Sequence, residues 1–200
     1  LGGDNYRIGM GGGAVSSVAT GEYTNSIELN AIQRSNPEMQ KRAYNAIRAL
    51  GEMDVNPVVS IHDHGAGGHL NCLSELVETT GGTIHIDKLP IGDPTLSHKE
   101  IVGNESQERM GLVLKDKDIN LLSKIASRER APMYVIGEAT GTKQFTFVDD
   151  KNGEKPIDLQ MDDMFGNPPK TIMNDSTVKE TFKPLHKKKK KIHTYINQVL

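Results

Sequence analysis

A short apolar run, a glycine-rich turn and an amphipathic helix follow one another between Pro57 and Val77, and few architectures accept that succession. Pro57-Val58-Val59-Ser60-Ile61-His62-Asp63 reads as a buried strand, His64-Gly65-Ala66-Gly67-Gly68 as a turn, and Leu70, Leu73, Leu76 and Val77 as one side of a helix. Open α/β sheets place ligands at the carboxyl ends of such strands. Asp63 is therefore a candidate Mg²⁺ ligand, because a hard cation seeks carboxylate oxygen and the glycines let a phosphate approach the backbone. The same carboxylate can instead cap the following helix. His62, His64 and His69 raise a transition-metal reading, which is the weaker one because no cysteine or carboxylate completes a recognised spacing.

Helical and extended patterns alternate through most of the chain. Ser35-Asn36-Pro37-Glu38 is a helix start, with a capping side chain, a proline in the first turn and an acid against the dipole. The helix runs to Leu50 with Met39, Ala43, Ala46, Ile47 and Leu50 on one face, and Gly51 supplies the stop. Thr83–Ile86 is a short strand whose His85 is a satisfied or exposed strand residue. Ser97 opens a short helix, Met110–Leu114 is a strand, and Asp118–Arg128 is a helix with Ile119, Leu122, Ile125 and Ala126 inward. Met133–Ile136 and Phe145–Val148 read as strands, paired as a hairpin around Gly141. The fold class expected is α/β (α+β), a mixed sheet covered by helices. Two hundred residues with 36% hydrophobic content make one ordinary domain, assigned to residues 1–150. From Asp149 the apolar periodicity lapses, and residues 151–200 read as a linker into a following domain. The opening at Leu1-Gly2-Gly3, running into an expected strand at Tyr6–Met10, reads as entry in mid-protein.

Between apolar flanks lies a dense polar cluster, Asn104-Glu105-Ser106-Gln107-Glu108-Arg109-Met110. If extended, it sets Glu105, Gln107 and Arg109 on one side and Ser106 and Glu108 on the other. That row of acceptor, amide and cation suits a small polar ligand with hydroxyls and an anionic group. A solvated strand entrance with an internal Glu/Arg pair is the plainer alternative. Gly11 to Ser17 is a small-residue loop that either cradles an anion or makes a tight turn, and its spacing matches no nucleotide fingerprint. Gln33 and Arg34 stand at a helix entrance, where polar side chains can meet a ligand.

The charge balance, 24 basic against 26 acidic residues, gives no general push toward nucleic acid or a lipid surface, so neither is an expected partner. The run Lys187 to Lys191 reads as a solvated face, and the apolar residues after it have helical spacing. A single cysteine, Cys72, excludes an internal disulfide framework and fits a reducing compartment, hence a cytoplasmic location. It falls on the apolar side of a helix and reads as core.

Four motifs in order, Gly11-Gly12-Gly13-Ala14, Ile32-Gln33-Arg34-Ser35-Asn36-Pro37-Glu38-Met39, His62-Asp63-His64-Gly65-Ala66-Gly67-Gly68 and Asn104 to Met110, resemble the phosphoribosylformylglycinamidine synthase family in its large single-chain form. The resemblance implies the C-terminal, aminoimidazole ribonucleotide synthetase-like domain of the first synthase half. It implies an ATP-dependent ligase of purine biosynthesis that uses glutamine as amide donor and converts formylglycinamide ribonucleotide to the amidine. By the same match, Gln33, Glu105, Ser106 and Gln107 contact the ribonucleotide and Asp63 binds Mg²⁺. ATP and Mg²⁺ are the implied cofactors. Neighbouring synthase and glutaminase domains of the same polypeptide are the implied partners, and they hold the catalytic histidine and the cysteine nucleophile, so this chain alone is expected to lack turnover. Where the small-form motif usually carries an apolar residue after the aspartate, this chain has His64. A non-catalytic ligand-binding or scaffold module, or another ATP-dependent ligase of the same superfamily, are the alternatives.

Overall fold

The computed structural model describes residues 1–3, 19, 21–22, 24–25, 36–105, 108–166, 169–177, 179, 181–184 and 191–199. Two compact units divide the chain, Leu1–Asn167 and Pro168–Leu200. The first is a mixed α/β unit. Its described elements are α1 (Pro37–Gly51), β1 (Val58–Asp63), α2 (Gly68–Leu76), β2 (Gly82–His85), α3 (His98–Gly103), β3 (Met110–Leu114), α4 (Asp116–Glu129), β4 (Gly137–Ala139), β5 (Gln144–Val148), β6 (Ile157–Gln160) and α5 (Met161–Phe165).

Local chemistry sets the helix ends. Asn36 caps α1 by accepting from the Met39 N–H, and Pro37 opens its first turn. Gly51 is the last residue of α1 rather than its stop. The cap is Glu52, whose N–H returns to the carbonyls of Arg48 and Leu50, so no left-handed glycine is needed. Ser97 begins α3 with a reciprocal capping box to Glu100. The small buried residues Ala43 and Ala46 of α1 and Ala126 of α4 suit the close contact between these two helices.

β1 and β3 form an antiparallel ribbon, with Ile61 opposite Leu112 and Asp63 opposite Met110. β1 is not the buried strand its apolar run suggests. Its burial alternates, with Val59 61% exposed, because the ribbon is antiparallel and α2 covers only the face of Val58, Ser60 and His62. Gly111 of β3 makes that coverage possible, since a β-carbon there would stand 2.7 Å from both Cys72 Sγ and Leu76 Cδ1.

The second sheet has the order β4-β2-β5-β6, with β2 and β5 parallel and the other pairs antiparallel. Two expectations change here. Met133–Ile136 is not a strand; the strand follows it at Gly137–Ala139, and β4 and β5 are not a hairpin. β2 lies between them, so the turn at Gly141 carries the chain across the start of β2, with the Thr140 N–H on the Gly81 carbonyl and the Lys143 N–H on that of Thr80. Phe145 and Phe147 are fully buried in the core with Cys72, Leu73, Val77, Ile84, Ile101 and Val102.

This unit continues past residue 150. β6 pairs along β5, and Met161 is 1% exposed within the same core. In the second unit, α6 (Ile192–Val199) has the helical form its apolar spacing suggests, and none of its residues is buried. No described helix is long and apolar enough to cross a membrane.

Candidate functional site

The site is built on the corner where β1 ends. Asp63 is the last residue of that strand, and its side chain is 65% exposed. Gly67 takes the N-cap position of α2 in the left-handed conformation with no side-chain cap. The carboxylate is thus not used as a helix cap. His62, beside it, donates from Nδ1 to the Asp63 carbonyl at 2.8 Å and pairs through Nε2 with Glu75. The bond to that carbonyl and the two nearby carboxylates raise the His62 pKa, against a smaller opposing effect of burial.

The glycine turn brings the polar loop onto the end of β1. At Gly68 a β-carbon would lie 2.2 Å from the Asn104 carbonyl oxygen, and φ is +58°. The position admits only glycine, and the backbone approaching there is the chain's own. Asn104 is fully buried at this contact, and Glu105 follows it half-buried. At the far end of the loop the His64 N–H donates to the Arg109 carbonyl at 3.1 Å, extending the β1–β3 ladder by one step. The turn after Asp63 and the loop carrying Glu105 therefore share one backbone corner.

Arg109 does not take its expected place in an extended row. Glu108 has φ +47°, and a left-handed residue breaks the two-residue alternation on which the row depended. Arg109, placed in that row as a cation for an anionic ligand, is 3% exposed. Its Nε donates to the Gly3 carbonyl at 2.8 Å, its Nη2 to the same oxygen, and its Nη1 to His69 Nε2 at 2.7 Å. His69 Nδ1 stands 3.0 Å from His64 Nε2. A guanidinium only donates, so His69 Nε2 accepts, its proton sits on Nδ1, and it donates to His64 in turn. Burial and the Arg109 charge hold the pKa of both imidazoles well below the ordinary value. The transition-metal reading of His62, His64 and His69 fails on these contacts. Among the described residues, no group of three or more His, Cys, Asp or Glu is placed to hold a metal ion.

Gln33, Ser106 and Gln107 lie outside the described residues, as do the Gly11 to Ser17 loop and Arg34. Of the candidate residues, Asp63 and Glu105 are described, on the turn and the loop that meet. What the sequence reading missed is the His64–His69–Arg109 series. Its one sequence trace is the departure at His64. A cavity of about 600 Å³ also borders these three residues, lined by aliphatic side chains such as Leu73, Leu112, Ile119 and Val135 together with His85, Lys88, Asp116 and Glu138. Cys72 is buried in the core as expected, and burial pushes its thiol up to about 12, so it is no nucleophile.

Fold and corner together define an α/β domain whose candidate ligand residues stand on a strand end and on a loop held by the following glycine turn. The chain belongs to the family described as AIR synthase related protein, C-terminal domain, whose model matches residues 1–150. It is 39% identical over 184 residues to phosphoribosylformylglycinamidine synthase of Dictyostelium discoideum, covering 90% of this chain and 14% of that protein. To the Saccharomyces cerevisiae protein of the same name it is 43% identical over 183 residues, covering 90% and 13%. The chain thus spans about one seventh of the length of these curated relatives. Among solved structures, Thermotoga maritima PurL complexed with FGAR has a TM-score of 0.66 at 24% identity, covering 92% of this chain and 30% of that one. Thermotoga maritima phosphoribosylformylglycinamidine synthase II has a TM-score of 0.64 at 23% identity, covering 92% and 28%. These two likenesses are of fold.

Proposed function

We propose that this chain is part of a phosphoribosylformylglycinamidine synthase and supplies contacts to formylglycinamide ribonucleotide in a reaction that consumes ATP and glutamine-derived ammonia. The observation that carries the reading is the shared corner: two segments singled out separately for ligand chemistry, at Asp63 and at Glu105, meet through Gly68, Asn104 and Arg109. The names of the curated relatives support the enzyme, and the FGAR and ATP complexes of Thermotoga maritima PurL support the substrates.

Within this reading Glu105 accepts hydrogen bonds from the ribonucleotide, with Ser106, Gln107 and Gln33 as its companions in the same role. A half-buried carboxylate acts strongly here, because the ligand replaces water in a less screened setting. Asp63 fits a Mg²⁺ site of the kind that uses one protein carboxylate, with water and substrate phosphate completing the shell. It is exposed, it is not a helix cap, and the adjacent Gly65 leaves space beside it. When bound, Mg²⁺ would offset the charge of the transferring phosphoryl group. ATP would activate the formyl amide oxygen for displacement by ammonia, and no described residue of this chain is assigned to the nucleotide. Residues 168–200 are read as the connection to a neighbouring domain of the same polypeptide, and the glutaminase as a further one.

Titration calorimetry of the full-length protein with formylglycinamide ribonucleotide tests the assignment. Glu105→Ala is expected to weaken binding by about 1–3 kcal/mol, the cost of leaving a buried ligand group unpaired. Unchanged affinity would remove Glu105 from the site.

A further inference from the structure

The loop from Asn104 to Arg109 has both of its ends on two consecutive residues. Gly68 meets the Asn104 backbone so closely that a β-carbon would overlap its N, C and O atoms. The next residue, His69, accepts from Arg109 Nη1 at 2.7 Å, and the Arg109 carbonyl takes the His64 N–H at 3.1 Å. We propose that Gly68 and His69, the first two residues of α2, clamp this loop at its two ends, and that His69 is a positioning residue acting through Arg109 on the Glu105 segment that faces the ribonucleotide.

This rests on the functional reading above and adds what holds the recognition loop in shape. Three physical points favour a clamp over general packing. First, the loop contains a non-glycine residue at positive φ, Glu108, a conformation that persists only where the surroundings hold it. Second, Arg109 is buried and its fork spans the Gly3 carbonyl and His69, so it ties the loop end in two directions. Third, His69 is entirely enclosed, and with the guanidinium donating to its Nε2 its Nδ1–H donates to His64, so both ring nitrogens are engaged. Gly3, His64, His69 and Arg109 thereby form one hydrogen-bonded series that fixes the loop at its Arg109 end.

The test uses the full-length protein, with His69→Leu removing the acceptor for Arg109 and His69→Gln retaining an acceptor near the Nε2 position. His69→Leu is expected to raise the KM for formylglycinamide ribonucleotide by about tenfold or more while the KM for ATP moves by less than about twofold, since small displacements of binding groups are costly. His69→Gln is expected to restore most of the loss. In parallel, hydrogen exchange of the amides from Glu105 to Arg109 reads the clamp without substrate: faster in His69→Leu, near wild type in His69→Gln. An unchanged ribonucleotide KM in His69→Leu, or a Gln variant as impaired as the Leu variant, overturns the proposal, and so does unchanged exchange. Normal ribonucleotide affinity in Glu105→Ala, with exchange still accelerated in His69→Leu, would instead sink the functional reading and leave the clamp standing.

Discussion

His64 and His69 stay neutral where an imidazole in water would take up a proton, and that difference makes the fold sensitive to acid. Above about pH 6.5, the ordinary imidazole value, both residues are neutral folded and unfolded, and they add no pH dependence. Below it the unfolded chain binds protons that the folded chain refuses, because burial and Arg109 depress both folded pKa values. Stability is therefore present above the ordinary value and lost as pH falls toward the folded ones. Each such proton contributes a slope of up to about 1.4 kcal/mol per pH unit. His62 opposes this in a narrower window, its raised pKa adding stability that is lost as pH rises. Denaturant midpoints between pH 7 and pH 5 are expected to fall, and His69→Gln should reduce the slope by about one proton's worth. A flat profile would mean that the pair titrates normally in the folded state. Asp63 makes a separate residue-scale prediction for the full-length protein. On the proposed Mg²⁺ role, the cation should raise the Tm of wild type by mass action and raise that of Asp63→Asn less, and equal shifts would remove the proposed role of Asp63.

At the scale of elements, the most constrained contact is between α2 and the β1–β3 ribbon. Gly111→Ala would set a methyl 2.7 Å from Cys72 Sγ and Leu76 Cδ1, both on a helix that His62 and Gly68 already hold in place. Overpacking of this kind typically costs about 1–3 kcal/mol, so a midpoint shift of that size is expected in urea unfolding, and an unperturbed midpoint would show that α2 can move. The same element shows what sequence reasoning can reach. The strand, the turn and the helix were legible because apolar periodicity and glycine placement are local properties. So were α1, α3 and β3, from the Asn36 cap, Ser97 as a helix opener and the apolar run before α4. What pairs with what was not legible. The insertion of β2 between β4 and β5 is a long-range choice, and two strands flanking Gly141 look like a hairpin from sequence alone. At the corner beside β1, Asp63 and Glu105 stand out in the sequence as polar residues at a strand end and in a polar cluster, and their ligand roles are those proposed above. The burial of Arg109 was not legible, since a guanidinium beside two carboxylates reads as a surface group until the carbonyl of Gly3 and the ring of His69 are brought to it.

For the molecule as a whole, the question is where the folded unit ends, and the second sheet answers it. β5 carries the fully buried Phe145 and Phe147, and among the described residues the sheet continues beyond it through β6, paired from Gln144↔Gln160 to Phe147↔Ile157. Asp158 of β6 accepts from Gln144 Nε2 at 2.5 Å and from Thr146 Oγ1 at 3.0 Å, and the Met161 N–H returns to the Lys143 carbonyl at 2.9 Å. The stretch after 150 looked like a linker because β6 is only four residues long, so the alternation of Ile157-Asp158-Leu159-Gln160 is too brief, after the polar run from Asp149 to Lys155, to register as a sustained period. A chain ended at 150 would leave β5 as an unprotected edge beside two phenylalanines and would empty the place of Met161. An uncovered apolar edge strand invites association between chains. Removing a buried methionine side chain alone costs about 2–5 kcal/mol. Thermal melts and light scattering should therefore separate a chain ending at 150, which melts lower and aggregates, from one ending at 167. Met161→Ala in the full chain should shift stability in the same direction without the aggregation. Equal melting of the two shortened chains would show that β6 and α5 lie on the sheet without supporting it.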